Sequence, residues 1–257
     1  MSIPLGFTVV DCLALLLFLF VWLLFEILPN RAPWYKRSIS YHMGQFREDW
    51  MKNMVVREPQ VLDALIQSSL QQGIGFFAST SILVIGALFA ALGASEEALK
   101  ILGDFPFTVN TTQTQWEFKV LLLIVTFAFA FFKFAWALRL FNYVSILVGA
   151  SPHRSDDEVL KNDYAIKLAR LHSLGARHFT TGINAYFFAL AAIAWFINPW
   201  TFIMATLWVA LVMYRRTFRS NFSKILSSTV QDTNLGGPVD NSASNSAGTG
   251  TSVSNDN

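Results

Sequence analysis

Five long apolar stretches dictate what this chain can fold into, because none of them can be left in water. The first, residues 7–28, holds only Asp11 and Glu26 as charged side chains. A helix needs about 20 apolar residues to cross a ~30 Å hydrocarbon core, so this stretch is long enough to span. Residues 73–93 and 118–138 are two more of the same kind. A block at 180–214 is interrupted only by Asn198-Pro199. As one helix it would be roughly 50 Å long, well beyond the hydrocarbon core. Proline also disfavours helix at the residue before it. The block therefore reads as two spans, 180–197 and 200–214, or as a re-entrant hairpin.

Composition agrees. Of 257 residues, 53% are hydrophobic, 14% are charged and 24 are phenylalanine. Average soluble domains are about 25% charged. These figures exclude a disordered chain, a nucleic-acid-binding domain and an ordinary cytosolic enzyme. Cys12 is the single cysteine, so neither an internal disulfide nor a thiolate metal cluster is available. The predicted fold is all-α: a polytopic helical membrane protein of five spans, or four with a re-entrant final hairpin, with amphipathic cytoplasmic helices, over residues 1–228. Residues 229–257 are mostly Asn, Ser, Gly, Thr and Asp. They have nothing to bury and read as a disordered polar tail.

Basic residues predict the orientation. Fifteen of the 19 Lys and Arg side chains fall in 29–72, in 150–179 or after Tyr214, and the segment 94–117 holds only Lys100. By the positive-inside rule the first three regions face the cytoplasm, with the N-terminus outside and the C-terminus inside. The first span reads as a retained anchor rather than a signal peptide. No basic residue precedes it, and Pro29-Asn30-Arg31 with Trp34, Lys36 and Arg37 follows as a helix stop with interfacial anchors.

The loops carry patterns of their own. Phe46, Trp50 and Met54 recur every four residues among charged neighbours. They predict a short amphipathic helix lying on the membrane surface. Pro59 suits the first turn of a helix running into the second span. Thr114 with Glu117, and Ser155 with Glu158, match the capping-box spacing at two helix starts. Asp156, Asp163, Arg170 and Arg177 repeat every seven residues and read as a solvated face. In the second span Gly75/Ser79 and Gly86/Ala90 are small pairs at the spacing that lets helix backbones approach closely in lipid.

Ionisable groups inside spans are costly and mark candidate sites. Asp11 and Lys119 lie near the outer ends of their helices and read as interfacial. Glu26, Lys133, Arg139 and Asn142 lie near the inner ends of the first and third spans and form a candidate charge cluster. His42, His153, His172 and His178 fall in cytoplasmic segments, and the last two are six apart, not the four that zinc ligands on one helix face need. No metal site, cofactor or catalytic residue is nominated. Asn110-Thr111-Thr112 matches a glycosylation acceptor on the outer loop, a weak pattern.

Four stretches carry a family likeness. They are Phe76-Phe77-Ala78-Ser79-Thr80-Ser81-Ile82-Leu83, Phe132-Lys133-Phe134-Ala135-Trp136-Ala137-Leu138-Arg139-Leu140-Phe141-Asn142-Tyr143, Arg177-His178-Phe179 and Tyr214-Arg215-Arg216-Thr217-Phe218. Through them most of residues 5–226 resembles a family of bacterial and plant membrane proteins of unknown function, domain of unknown function 599. The resemblance implies membrane residence and a bacterial inner-membrane location. It carries over no catalytic or binding residue. The function expected is that of a non-enzymatic structural or accessory membrane component, surrounded by lipid and paired with a second copy or another membrane protein. A small-solute transporter or channel ranks second, and a membrane enzyme at the cytoplasmic face, using His178, His153 or Glu26, ranks third.

Overall fold

The computed structural model describes residues 6–31, 39–57, 61–103, 111–152 and 157–218. The tail at 229–257, Pro59, Asn110, His153, Ser155 and Asp156 lie outside the described residues. Within them the chain forms seven α-helices and no strand. These are α1 (Val9–Arg31), α2 (Ile39–Val56), α3 (Val61–Gly93), α4 (Ser95–Gly103), α5 (Gln113–Gly149), α6 (Glu158–Ile193) and α7 (Pro199–Phe218). Four helical stretches are long and apolar enough to cross a membrane: Val9–Ile27, Val61–Gly93, Gln113–Gly149 and Glu158–Phe196.

Helix ends follow local chemistry, with shifts from the sequence expectation. α5 starts two residues early. The Thr112 hydroxyl caps the Gln115 amide at 3.3 Å and the Gln115 side chain caps the Thr112 amide at 3.0 Å. Thr112-x-x-Gln115 fits the capping box as well as Thr114-x-x-Glu117 does. Gln115 is also held by the Gly6 carbonyl, to which its Nε2 donates at 2.6 Å. α6 is capped by Asp157, whose Oδ1 accepts from the Val159 amide. α1 runs past Pro29 to Arg31. A proline forfeits the hydrogen bond of its own nitrogen, not those of the residues after it.

The break at Asn198-Pro199 is a designed reversal. α6 ends in a 3-10 turn at Ala194–Phe196, and Pro199 opens α7 at the position where its missing N–H costs nothing. The Asn198 Oδ1 accepts from the Thr201 amide at 2.9 Å, and the Asn198 amide donates to the Thr201 hydroxyl at 3.2 Å. α7 then runs back along α6 and α1. Its Phe202 is fully buried, and the Arg216 guanidinium lies 5.8 Å from the ring of Phe187 on α6.

The core of the molecule is the seam between α5 and α6. On α5 one row of buried positions runs 116, 120, 123, 127, 130, 134, 137, 141 and 144, with 119, 124, 126 and 140 buried beside it. That alternation of four and three is the heptad of left-handed helix pairs. α6 answers with Leu168, Gly175, Gly182 and Ala189, all buried and seven apart. A Cβ on Gly182 would lie 2.5 Å from the Phe134 ring, and one on Gly175 would lie 2.8 Å from the Phe141 ring. The two phenylalanines thus occupy the space that side chains would need.

α3 buries Asp63, Gln67, Ile74 and Ser81: Gln67 and Ile74 meet α5, whereas Ser81 meets Tyr186 on α6 at 3.0 Å. Gln67 donates to the Phe141 carbonyl at 3.0 Å and Gln71 to the Ser145 hydroxyl at 2.9 Å. The small pairs expected to pack are not on this face. Ser79, Gly86 and Ala90 are exposed, and no atom lies within 4 Å of a Cβ built on Gly75 or Gly86. Each residue turns about 100° around a helix, so these positions point away from the 67/74/81 row.

α3, α5 and α6 have 33, 37 and 36 residues. At 1.5 Å per residue each reaches about 50–55 Å, more than a ~30 Å core requires, and at one end they stand together beyond the other helices. That projection gives α2 a protein surface to bind. Met51, Met54 and Val55 are buried against Val144, Ala165, Leu168 and Ala169. Trp50 donates its Nε1 to Asp63 Oδ1 at 2.7 Å, and Arg57 Nη2 reaches the same oxygen at 3.2 Å. The apolar face of α2 therefore covers α5 and α6, where a membrane surface was expected.

Glycine is required at 182 and dispensable at 75. We expect Gly182→Ala to lower stability in detergent by about 1–3 kcal/mol, the usual range for overpacking. Phe134→Leu in the same chain should recover part of the loss. Gly75→Ala should cost nothing, because alanine is the better helix former by up to about 1 kcal/mol. Equal losses at both glycines would contradict the packing described.

Candidate functional site

Two of the helices that carry buried charge run in the same direction, and they carry it at matching levels. On α1 the acidic residues are Asp11 and Glu26; on α5 Lys119 and Lys133 stand at the matching levels, and a third basic residue, Arg139, lies six positions further on. At 1.5 Å per residue the two pairs are separated by about 22 Å along α1 and 21 Å along α5. Charge is thus confined to two layers with an apolar slab between them.

The first layer is closed. Asp11 is 6% exposed. Its Oδ2 accepts from the Thr8 amide at 3.0 Å and the Thr8 hydroxyl at 2.6 Å, and its Oδ1 accepts from Trp195 Nε1 at 2.9 Å. Lys119 is equally buried, its ammonium 5.7 Å from the Trp195 ring and 5.9 Å from that of Phe196. Cations favour such ring faces once water is removed. Asp11 and Lys119, expected at an interface, are closed off by the protein itself: the turn after α6 brings Trp195 over both and seals them. No sequence pattern links Asp11 to a tryptophan 184 residues away.

The second layer is open. Lys133 Nζ and Glu26 Oε1 are 2.6 Å apart, with side chains 23% and 28% exposed. The Lys133 ammonium also lies 4.9 Å from the Phe129 ring. Beside the pair is a cavity of about 110 Å³ between α1, α2 and α6. Glu26, Arg47, Ser173, Arg177, Thr181 and Asn184 are among the residues that line it. On α6 these fall at 173, 177, 181 and 184, which is one helix face. The seven-residue charge repeat on α6 therefore divides. Asp163 pairs with Lys167 at 2.7 Å on an exposed surface, whereas Arg177 borders the cavity.

Arg139 and Asn142 do not join Glu26 and Lys133. Arg139 is exposed, donates its Nε to the Tyr143 hydroxyl at 2.7 Å and stacks 5.6 Å from the Trp136 ring. Asn142 is exposed as well. Six and nine residues beyond Lys133 correspond to about 240° and 180° of rotation, so both face elsewhere. The histidines are dispersed. His172 is buried between Phe141 at 4.7 Å and Trp50 at 5.3 Å, and neither of its ring nitrogens has a hydrogen-bond partner. His178 faces the ring of Trp136 at 6.4 Å. Arg47, Ser173, Thr181 and Asn184 were not singled out in the sequence. The signal available was their spacing: polar residues at one-turn intervals on the stretch of α6 that leads into its apolar half.

A family model described as Protein of unknown function, DUF599, matches residues 13–222. The chain belongs to this family. No curated protein and no solved structure matches it. The match includes all four helices long enough to cross a membrane, save the first four residues of α1, as well as Glu26, Lys133 and the cavity. The family's unassigned function leaves the geometry as the guide.

The Glu26–Lys133 contact is testable apart from any activity. In a double-mutant cycle, Glu26→Gln with Lys133→Met should show a coupling energy of about 1–3 kcal/mol in detergent stability, as neighbours in one partly buried pair do. Glu26→Gln with Arg139→Met should be additive to within about 0.5 kcal/mol. Coupling to Arg139 instead would mean that the rotation of α5 described here is wrong.

Proposed function

We propose that the chain serves as a non-enzymatic structural or accessory component of the membrane. One observation carries this reading: the slab between the two charged layers is packed solid with rings. Phe18 lies 5.2 Å from Phe202 and 5.8 Å from Phe188, and Trp22 lies 5.3 Å from Phe129. Phe127 and Phe134 stand 5.1 Å and 5.7 Å from Tyr186. The few polar groups in the slab are hydroxyls: Thr126 donates to the Leu122 carbonyl, Tyr186 to that of Phe77, the Ser81 and Tyr186 hydroxyls meet at 3.0 Å, and Thr206 is buried among apolar groups. A solute carrier gathers polar groups and broken helices at mid-depth. Here that depth is aromatic. The exposed face of α3, with Phe76, Ile82, Leu83 and Phe89, suits lipid or the helix of a partner, whether a second copy or another membrane protein.

The topology that goes with this reading has five crossings, the N-terminus outside and the C-terminus in the cytoplasm of a bacterial inner membrane. α7 has 20 residues, about 30 Å at 1.5 Å each, which matches a full return across the hydrocarbon core. Its last turn carries Arg215 and Arg216, which the positive-inside rule keeps in the cytoplasm.

Two measurements test the reading. Reporter fusions near Asp104 should report outside, and those near Lys52, Lys161 and Ser227 inside. Ser227 outside would refute both the five-span and the re-entrant form. In a Cys12→Ser chain, single cysteines at Leu15, Leu122 and Ala192 should resist a membrane-impermeant maleimide from either side, while one at Asn184 should react. Labelling within the slab would establish a water path and overturn the accessory reading in favour of transport.

A further inference from the structure

His172 stands on α6 at the seam where α2 docks, and it is buried there with nothing to bond. It is 3% exposed, and neither Nδ1 nor Nε2 has a hydrogen-bond partner. Rings wall it from two other helices, Phe141 of α5 at 4.7 Å and Trp50 of α2 at 5.3 Å. All three residues lie outside the spans at 118–138 and 180–197. Trp50 is also the anchor of α2. Its Nε1 donates to Asp63 Oδ1 at 2.7 Å, and Met51, Met54 and Val55 beside it fill the contact with α5 and α6. The charged groups on the surrounding helices give the imidazole no acceptor. On α2, Arg47 acts on it as a like charge, Glu48 is paired with Lys52 at 2.7 Å and Asp49 is exposed. On α3, Asp63 binds Trp50 and Arg57 through Oδ1, and its Oδ2 has no partner. On α5, Arg139 and Tyr143 bond to each other. On α6 itself, Asp163 pairs with Lys167 and Arg170 is exposed.

We propose that His172 makes the docking of α2 acid-sensitive: charging its imidazole releases α2 from α5 and α6. The cause is the missing acceptor. A neutral imidazole is tolerated between two rings, whereas an imidazolium brings two N–H donors and a charge that must be solvated or paired. Burial, and then the Arg47 charge, hold the His172 pKa down from 6.5 to about 4. A proton therefore binds more readily once α2 has lifted and water reaches the ring. By linkage, docking is at full strength above about pH 6.5, weakens by up to about tenfold per pH unit below it, and levels out once the pH has fallen through about 4. The effect falls on one helix. The Phe134–Gly182 contact lies ten positions further along α6 and keeps α5 and α6 together whether or not α2 is docked. Release bares the apolar surface of Val144, Ala165, Leu168 and Ala169, so acid changes the face that this end of the protein presents.

The test uses the full chain in a nonionic detergent, with Cys12→Ser as the background. Met51→Cys reports release, because Met51 is 1% exposed beneath α2. Asn53→Cys, exposed on the same helix, supplies the pH dependence of the thiol itself. The ratio of the two maleimide labelling rates, buried over exposed, should rise about tenfold between pH 7.5 and pH 5.5. His172→Phe keeps a ring in the site and should flatten the ratio. His172→Gln cannot take up a proton and should flatten it too, even where it loosens α2 at every pH. His42→Gln, His178→Gln and Asp63→Asn should each keep the rise. Asp63→Asn should also shift the whole curve upward, since it removes the charge that holds Arg57. Ala189→Cys, buried in the slab, should stay unlabelled throughout. A ratio that does not change with pH overturns the proposal, and so does a rise that survives in both His172 variants. A rise lost in Asp63→Asn would assign the release to the carboxylate and overturn it as well. Labelling at Ala189→Cys in step with Met51→Cys would mean that acid opens the whole bundle, which also overturns it.

Discussion

Phe134 seated on Gly182 is the contact on which the rest of the bundle depends. Between lipid-soaked helices there is no hydrophobic gain from association, since lipid is as apolar as a leucine. Association has to come from close packing and from hydrogen bonds. The α5–α6 seam supplies the first by placing a ring where a Cβ would clash at 2.5 Å. Everything else is hung on that pair. α3 attaches to α5 by Gln67 and Gln71, α2 covers both beyond the apolar slab, and α7 returns along α6 to close α1 against Trp195 and Phe202. The residues of the slab are thus held by shape, and the helices are keyed in rotation and depth by the few polar bonds.

Depth is keyed by charge. α1 and α5 are parallel, and each carries one ionisable residue at either edge of the slab. A slip of one residue along α5 would move Lys133 about 1.5 Å and turn it about 100° from Glu26. At the other edge Gln115 grips the Gly6 carbonyl at 2.6 Å, a further registration point. Such bonds are individually modest. Their value is that any other register leaves a carboxylate or an ammonium in an apolar layer with no partner, which costs several kcal/mol.

What could be read from the sequence divides along the same physical line. The stretches that cross, the long α5 and the reversal at Asn198-Pro199 all follow from apolar length and from proline, which act locally. Which way each helix faces does not follow, because lipid makes every face apolar. On α3 the glycine pairs at 75/79 and 86/90 had the spacing of a packing motif, yet the buried row is 67, 74 and 81, two of whose members are polar. On α6 the working glycines are 175 and 182, seven apart, a spacing that only the heptad on α5 makes meaningful. The candidate cluster divided for the same reason. Glu26 and Lys133 share a level and a face; Arg139 and Asn142 share only the neighbourhood in sequence.

The two charged layers contain the same kinds of residue and differ in their access to water. Around Asp11 the donors match the acceptor. Thr8 and Trp195 satisfy its oxygens, and the Lys119 ammonium is covered by rings. Such a cluster is finished: adding a ligand would break bonds rather than make them. At the Glu26 level one carboxylate faces Lys133, with Arg47 and Arg177 beside it and three further polar side chains from α6. That cluster opens onto the cavity between α1, α2 and α6, and its α6 side chains are half-buried or exposed. Donors that water can reach need no protein acceptor, so Ser173, Arg177, Thr181 and Asn184 can follow one another at one-turn intervals on α6 at little cost. Position explains the difference. The first layer is shut under the α6–α7 turn and must be self-sufficient, whereas the second is open to water.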